Sequence, residues 1–185
     1  MSTIGRLFRV TTFGESHGKS VGVTIDSPLP NMKLDMNKLQ HQLRRRRPGQ
    51  SGISTPRQES DELIVLSGLE DGVALGTPLT IIVNNLDQRK GDYAVPYPDP
   101  AYIPRPSHAD YTYLFKYGTH ASSGGGRSSA RETIGRVIAG GVADQIIETY
   151  GVEVVAFVEQ VGDIRLDSVP RDLTRGMVDG SVTRC

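Results

Sequence analysis

The sequence predicts one folded unit that mixes strands with helices, and three observations point that way. Short runs rich in β-branched and aromatic residues open the chain, residues 7–13 being the clearest. A helical periodicity runs over 130–150, with Ile134, Val137, Ile138, Val142, Ile146 and Tyr150 recurring on one face. The composition is globular: 37% hydrophobic residues plus 21 glycines in 185 residues, close to the usual apolar share and long enough for an ordinary core.

The elements follow in order. After the strand over 7–13 comes a turn bracketed by glycines, Gly14-Glu15-Ser16-His17-Gly18, and then a second strand over 20–25. Asp35 is placed to N-cap a helix over 36–46, with Leu39 and Leu43 four apart on its inner face. Pro48 ends that helix, because the residue before proline disfavours helical backbone. A polar loop over 49–58 precedes strands over 63–66 and 79–83. Residues 87–106 hold five prolines and predict an extended loop. The helix over 130–150 carries a capping-box pattern, Ser129 with Glu132, and Gly151 as its stop. An apolar strand is expected over 152–161 and irregular polar chain over 162–185.

Charge and cysteine content narrow the function classes. The 21 Lys and Arg balance 21 Asp and Glu, which argues against a general polyanion binder. The single cysteine, Cys185, allows neither a disulfide framework nor a cysteine metal site within the chain and favours a reducing compartment. The first ten residues lack the apolar run of a secretory signal, and no stretch reaches the ~18 apolar residues of a membrane span. A cytoplasmic protein with no metal, nucleic-acid or membrane partner is expected.

Three constellations carry chemistry. Residues 122–132 read Ser-Ser-Gly-Gly-Gly-Arg-Ser-Ser-Ala-Arg-Glu. A glycine loop running into a helix start, with two guanidiniums and two hydroxyls beside it, suits a phosphate. It is neither a Walker loop nor Gly-x-Gly-x-x-Gly, and the plainer reading is a turn before a capped helix. Arg44, Arg45, Arg46 and Arg47 are consecutive at the predicted helix end. There they complement the helix dipole or face water, project one or two guanidiniums into a pocket, or bind RNA. His17 between glycines and His108 after Arg105-Pro106-Ser107 are candidates for proton transfer near neutral pH. His41 and His120 have no such setting.

These stretches resemble the signature segments of the chorismate synthase family. The resemblance rests on Gly14-Glu15-Ser16-His17-Gly18, Arg45-Arg46-Arg47-Pro48-Gly49-Gln50-Ser51 and Asn85-Leu86-Asp87-Gln88-Arg89 with Asp92-Tyr93. Arg105-Pro106-Ser107-His108-Ala109-Asp110, Lys116-Tyr117-Gly118 and the run from Gly124 to Thr133 follow in the same order. It covers residues 5–164. It implies an α+β fold with helices sandwiched between antiparallel sheets, incomplete here, with 1–185 forming the N-terminal part of a single domain. It further implies conversion of 5-enolpyruvylshikimate 3-phosphate to chorismate and phosphate by 1,4-anti elimination with reduced FMN, in a homotetramer. NADPH is a candidate reductant. By resemblance, His17 is the acid toward the departing phosphate and His108 protonates or stabilises the reduced flavin. Arg46, Arg47, Arg105 and Arg131 take the substrate anions; Arg127, Ser128 and Ser129 take FMN. Gly52 stands where some members carry a basic residue, so that contact is not carried over. Family chains are much longer, so an incomplete site that binds flavin or phosphate without turnover is the alternative.

Overall fold

The computed structural model describes residues 2–49, 59–87, 103–121 and 125–181. In chain order its strands are β1 (Thr3–Ile4), β2 (Arg9–Gly14), β3 (Ser20–Asp26), β4 (Leu63–Ser67), β5 (Leu69–Glu70), β6 (Val73–Ala74), β7 (Leu79–Asn84), β8 (Gln160–Val161) and β9 (Ile164–Arg165). The helices are α1 (Met36–Arg46), α2 (Asp110–Tyr117), α3 (Thr133–Glu148) and α4 (Arg175–Asp179). Five strands form one antiparallel sheet in the order β1-β2-β3-β7-β4, and β5–β6 and β8–β9 are small antiparallel hairpins. The expected α+β class with antiparallel sheets is what the chain adopts.

Alternation fixes which face of the sheet is buried. Val21, Val23 and Ile25 of β3 and Leu79, Ile81 and Val83 of β7 all point to one side and have no solvent exposure. Each contributes roughly 1.5–3 kcal/mol by leaving water. Helices α1 and α3 cover that side, with Leu39 and Leu43 from α1 and Ile134, Ile138 and Val142 from α3 completing the core. Two glycines let α3 settle this closely. A Cβ at Gly135 would lie 2.8 Å from the Gly22 carbonyl oxygen, and one at Gly141 would lie 2.6 Å from Leu39 Cδ1. The Gln145 amide also ties the helices together: it accepts from the Asp35 N–H (2.7 Å) and donates to the Asp35 carbonyl (3.1 Å).

The predicted elements are found with shifted ends. Asp35 caps α1 as expected, its carboxylate accepting from the N–H groups of Asn37 and Lys38. The helix expected from 130 begins as a 3₁₀ turn, Ala130–Glu132, and becomes α-helical at Thr133. The capping box is not formed as expected. Ser129 accepts from the Arg131 N–H (3.3 Å), while the Glu132 carboxylate pairs with Arg127 and Arg136 instead of returning to the cap. The strand expected over 152–161 is not one: only Gln160–Val161 pair, because no neighbouring strand among the described residues offers a ladder to 152–159. The region read as irregular after 162 contains β9 and α4. Short helix α4 is pinned by charge, Arg175 to Asp144 of α3 and Asp179 to Arg45 of α1. Most of the loops expected over 49–58 and 87–106 lies outside the described residues.

Candidate active site

Residues 125–132 are the hub to which the other candidate segments attach. Gly126 has φ +49°, opening a 3₁₀ turn, Gly126–Ser128, that feeds the extended cap at Ser129. A Cβ at Gly125 would sit 2.6 Å from Arg105 Nη2, so the Arg105 guanidinium lies directly against bare backbone there. The turn carrying His17 docks on the same segment. Ser16 N–H donates to the Gly126 carbonyl (3.2 Å), and Arg127 Nη1 donates to the Gly14 carbonyl (3.1 Å). His17 itself is half-buried and Ser16 is buried.

The candidate arginines divide by what surrounds them. Arg131 is only 3% exposed. Its Nη1 donates to Asp61 Oδ1 (2.8 Å), its Nε to Asn85 Oδ1 (2.6 Å) and its Nη2 to the Asn84 carbonyl (3.3 Å), with Glu59 Oε2 at 3.5 Å. Two buried carboxylates thus face this one guanidinium. Asp61 also receives Arg46 Nη1 (3.3 Å), whose Nη2 reaches the Ala130 carbonyl (3.4 Å). Arg46 is therefore joined to Arg131 through a shared carboxylate. Asp61 holds this place with φ +51°, a backbone conformation that L residues pay to adopt. Its carbonyl accepts from the Gln40 amide of α1 (2.9 Å), which over-determines the position. Arg47 caps the end of α1 with its side chain exposed, and Arg44 is exposed. Arg45 is turned to Asp179, so the four-arginine run does not present one continuous basic stripe.

Arg105 makes a two-pronged bond to Asp110, Nε at 2.7 Å and Nη2 at 2.9 Å, and its own N–H reaches the same carboxylate (3.2 Å). This guanidinium holds the buried Asp110 carboxyl below its ordinary pKa against the opposing cost of burial; the Ser128 hydroxyl adds to the effect. His108 sits on the exposed turn between them, its Nδ1 3.0 Å from the Pro106 carbonyl oxygen. Arg127 Nη2 donates to Thr12 Oγ1 (2.7 Å) and Glu132 Oε2 (3.2 Å), and its buried Nε has no acceptor among the described residues. A cleft of about 240 Å³ opens here, lined by Asp110, Tyr113, Tyr117, His120, Arg127 and Ser128 among others. A wider cleft of about 440 Å³ lies elsewhere, between α1, α3 and Arg175. Its ionic groups Lys38 and Glu148, and Arg175 and Asp144, are paired with one another.

The fold therefore gathers His17, Arg46, Arg105, Arg127, Ser128, Ser129 and Arg131 on or beside one segment, with His108 on the turn leading into α2. Arg47 stands further out, lining a separate opening with Pro48, Gly49, Glu59 and Ser60. Sequence reasoning did not single out Asp61, Glu59, Asn85 or Asp110 as site residues. The available signal was charge balance: Glu59, Asp61 and Glu62 form an acidic cluster in a chain whose arginines are equally clustered. Among the described residues, no group of His, Cys, Asp and Glu could hold a metal ion, and no helix is long and apolar enough to cross a membrane.

The family model described as chorismate synthase matches residues 8–183. The chain is 50% identical over its full length to a chorismate synthase of Prochlorococcus marinus (strain AS9601), covering 50% of that protein. It is 59% identical over 167 residues to chorismate synthase aro-2 of Neurospora crassa, covering 90% of this chain and 38% of the relative. A crystal structure of chorismate synthase superposes with a TM-score of 0.64 at 28% identity, over 88% of this chain and 40% of that one. The chain spans about half the length of the Prochlorococcus relatives it matches.

Proposed function

This chain belongs to the chorismate synthase family, and we propose that it carries the family's phosphate elimination from 5-enolpyruvylshikimate 3-phosphate, giving chorismate. The observation that carries the reading is the convergence of His17, Arg46, Arg105 and Arg127 on residues 125–132. The reading gives these segments the roles of proton donor, anion-binding forks and phosphate-binding loop.

The residues act as follows. Arg46, Arg47 and Arg105 offer guanidinium forks to the substrate's phosphate and carboxylates. Arg131 is the inner member of this set, joined to Arg46 through Asp61. His17 gives its proton to the departing phosphate, which lowers the barrier to C–O cleavage. His108 holds a proton toward the cofactor. Reduced FMN, when bound, lends electron density to the reacting ring without net redox change. The residues fit such a group: the buried Arg127 Nε has no acceptor among the described residues, and the aromatic side chains of Tyr113 and Tyr117 line the cleft. At about 240 Å³ the cleft is below the roughly 300 Å³ at which pockets hold a whole drug-sized ligand. It suits one end of the flavin nucleotide, with Arg127, Ser128 and Ser129 as the contacts. Membership of the family supports the further reading that 1–185 is one part of a single domain, working in the cytoplasm within a homotetramer, with NADPH as a candidate reductant.

The coverage of about half of the Prochlorococcus relatives favours a second reading, in which the chain binds flavin or phosphate without turnover. One experiment separates the two. The purified chain is mixed anaerobically with reduced FMN and 5-enolpyruvylshikimate 3-phosphate, and chorismate and phosphate are measured beside a His17→Ala variant. Turnover lost in the variant supports the elimination. Saturable binding without turnover supports the second reading, and neither binding nor turnover contradicts both.

A further inference from the structure

The His17 turn is held from below by one side chain that nothing so far has assigned a role. Asn85 is 5% exposed and follows β7 directly. Its Nδ2 donates to two carbonyls of the turn, Gly18 at 2.8 Å and Glu15 at 3.0 Å, and its backbone N–H donates to the Lys19 carbonyl at 3.0 Å. The two bonds from one amide bracket Ser16 and His17, the residues between those carbonyls. An asparagine amide could face either way, since oxygen and nitrogen have the same shape. Here Arg131 Nε donates to Asn85 Oδ1 at 2.6 Å, so a cation fixes the oxygen end and the donor end is forced toward the turn. Arg131 is in turn held by Asp61 and Glu59.

We infer that Asn85 is the positioning residue for His17, with its amide oriented by the Arg131–Asp61 pair. It touches no reacting atom; it sets where the imidazole-bearing turn sits relative to residues 125–128. The inference rests on His17 being the acid of the proposed elimination. It also extends that reading, because it predicts that disturbing the buried pair is felt at His17.

Asn85→Asp tests it. The substitution keeps the shape and the oxygen that accepts from Arg131, but replaces both donors with a carboxylate oxygen facing two carbonyls. The readout is NMR of the whole chain: the His17 imidazole titration and amide hydrogen exchange. The expected result is a shifted His17 titration and about tenfold faster exchange in residues 15–19 (that is about 1.4 kcal/mol), with β3 and α3 amides unchanged. Arg131→Lys, which keeps the charge and loses the Nε bond, should shift His17 in the same direction by less; it stands as the test if N85D does not fold. An unshifted His17 titration in N85D, or in the folded R131K where N85D fails, overturns the proposal. So does exchange accelerated equally everywhere, which would make Asn85 a general stabiliser.

Phosphate release, if the chain turns over, separates this from the parent reading. Misplacement of an acid by about 1 Å costs on the order of 10²-fold. N85D should therefore lower kcat by about that factor with KM little changed. A shifted His17 with kcat intact leaves Asn85 in place and removes His17 as the acid. A His17→Ala variant that is dead beside an N85D enzyme with unaltered His17 does the reverse.

Discussion

Arg131 and Arg47 carry the same guanidinium in opposite settings. Arg131 is 3% exposed and faces two buried carboxylates, while Arg47 stands exposed at the end of α1. Resemblance gives both the same task, holding substrate anions. Physically their first obligations differ. A buried guanidinium must be compensated by the protein, so Arg131 stabilises the framework before it can serve any ligand. An exposed one keeps much of its hydration, and its surface contacts are worth little, so exchanging them for a phosphate costs the framework less. Arg46 lies between the two extremes, its side chain 20% exposed and sharing Asp61 with Arg131.

The comparison breaks most visibly at Asp61. Asp61→Ala leaves the Arg131 charge buried beside fewer partners and should cost about 3–5 kcal/mol of stability, read by urea unfolding. The triple variant E59Q/D61A/R131M should recover much of that loss, since it removes both buried carboxylates together with the guanidinium they face. Failure to recover would mean that Asp61 acts through Arg46 or its strained backbone instead.

The Arg105–Asp110 pair is the next largest effect. Asp110→Asn removes the charge from a two-pronged bond and should cost about 1.5–3 kcal/mol, measured the same way. Acid unfolding checks the same chemistry. Arg105 and Arg175 hold Asp110 and Asp144 below the ordinary carboxylate pKa. The folded state therefore takes up these protons less readily than the unfolded one. Their contribution is complete above about pH 4 and is lost as pH falls through the lowered values. Wild-type stability should fall in that acid window, and D110N should show a smaller fall. Equal pH dependence in the two would contradict the assignment.

The smallest expected effect is at the exposed end of the comparison. Arg47→Ala should change stability by less than about 0.5 kcal/mol. A large loss of stability there would place Arg47 in the framework with Arg131.

The sequence showed the scaffold more clearly than the site. Helix α1 was legible to the residue, because Asp35, Leu39, Leu43 and Pro48 each act locally. Strands β3 and β7 were legible to within one residue, because their alternation is a property of the strand itself. The extended run at 152–159 misled because apolar, β-branched composition signals a strand only if a neighbour supplies the ladder. Helix α2 was missed because it is an eight-residue helix with exposed aromatic side chains and no inward apolar stripe to betray it. At the site, the resemblance gave roles to His17 and the arginines; it included Asn85 in a motif without a role and left out Asp61 and Glu59. Their roles depend on contacts between residues far apart in the chain, 46 positions for Asn85 with Arg131 and 70 for Asp61 with Arg131, which no local pattern carries.

The most direct test of the account is the affinity of the chain for 5-enolpyruvylshikimate 3-phosphate. Calorimetric titration of the wild type is set beside Arg46→Met and Arg47→Ala, each first shown to be folded. The account predicts saturable binding by the wild type and at least about tenfold weaker binding, 1.4 kcal/mol, in each variant. Equal affinity in all three, or no binding by the folded wild type, would contradict it.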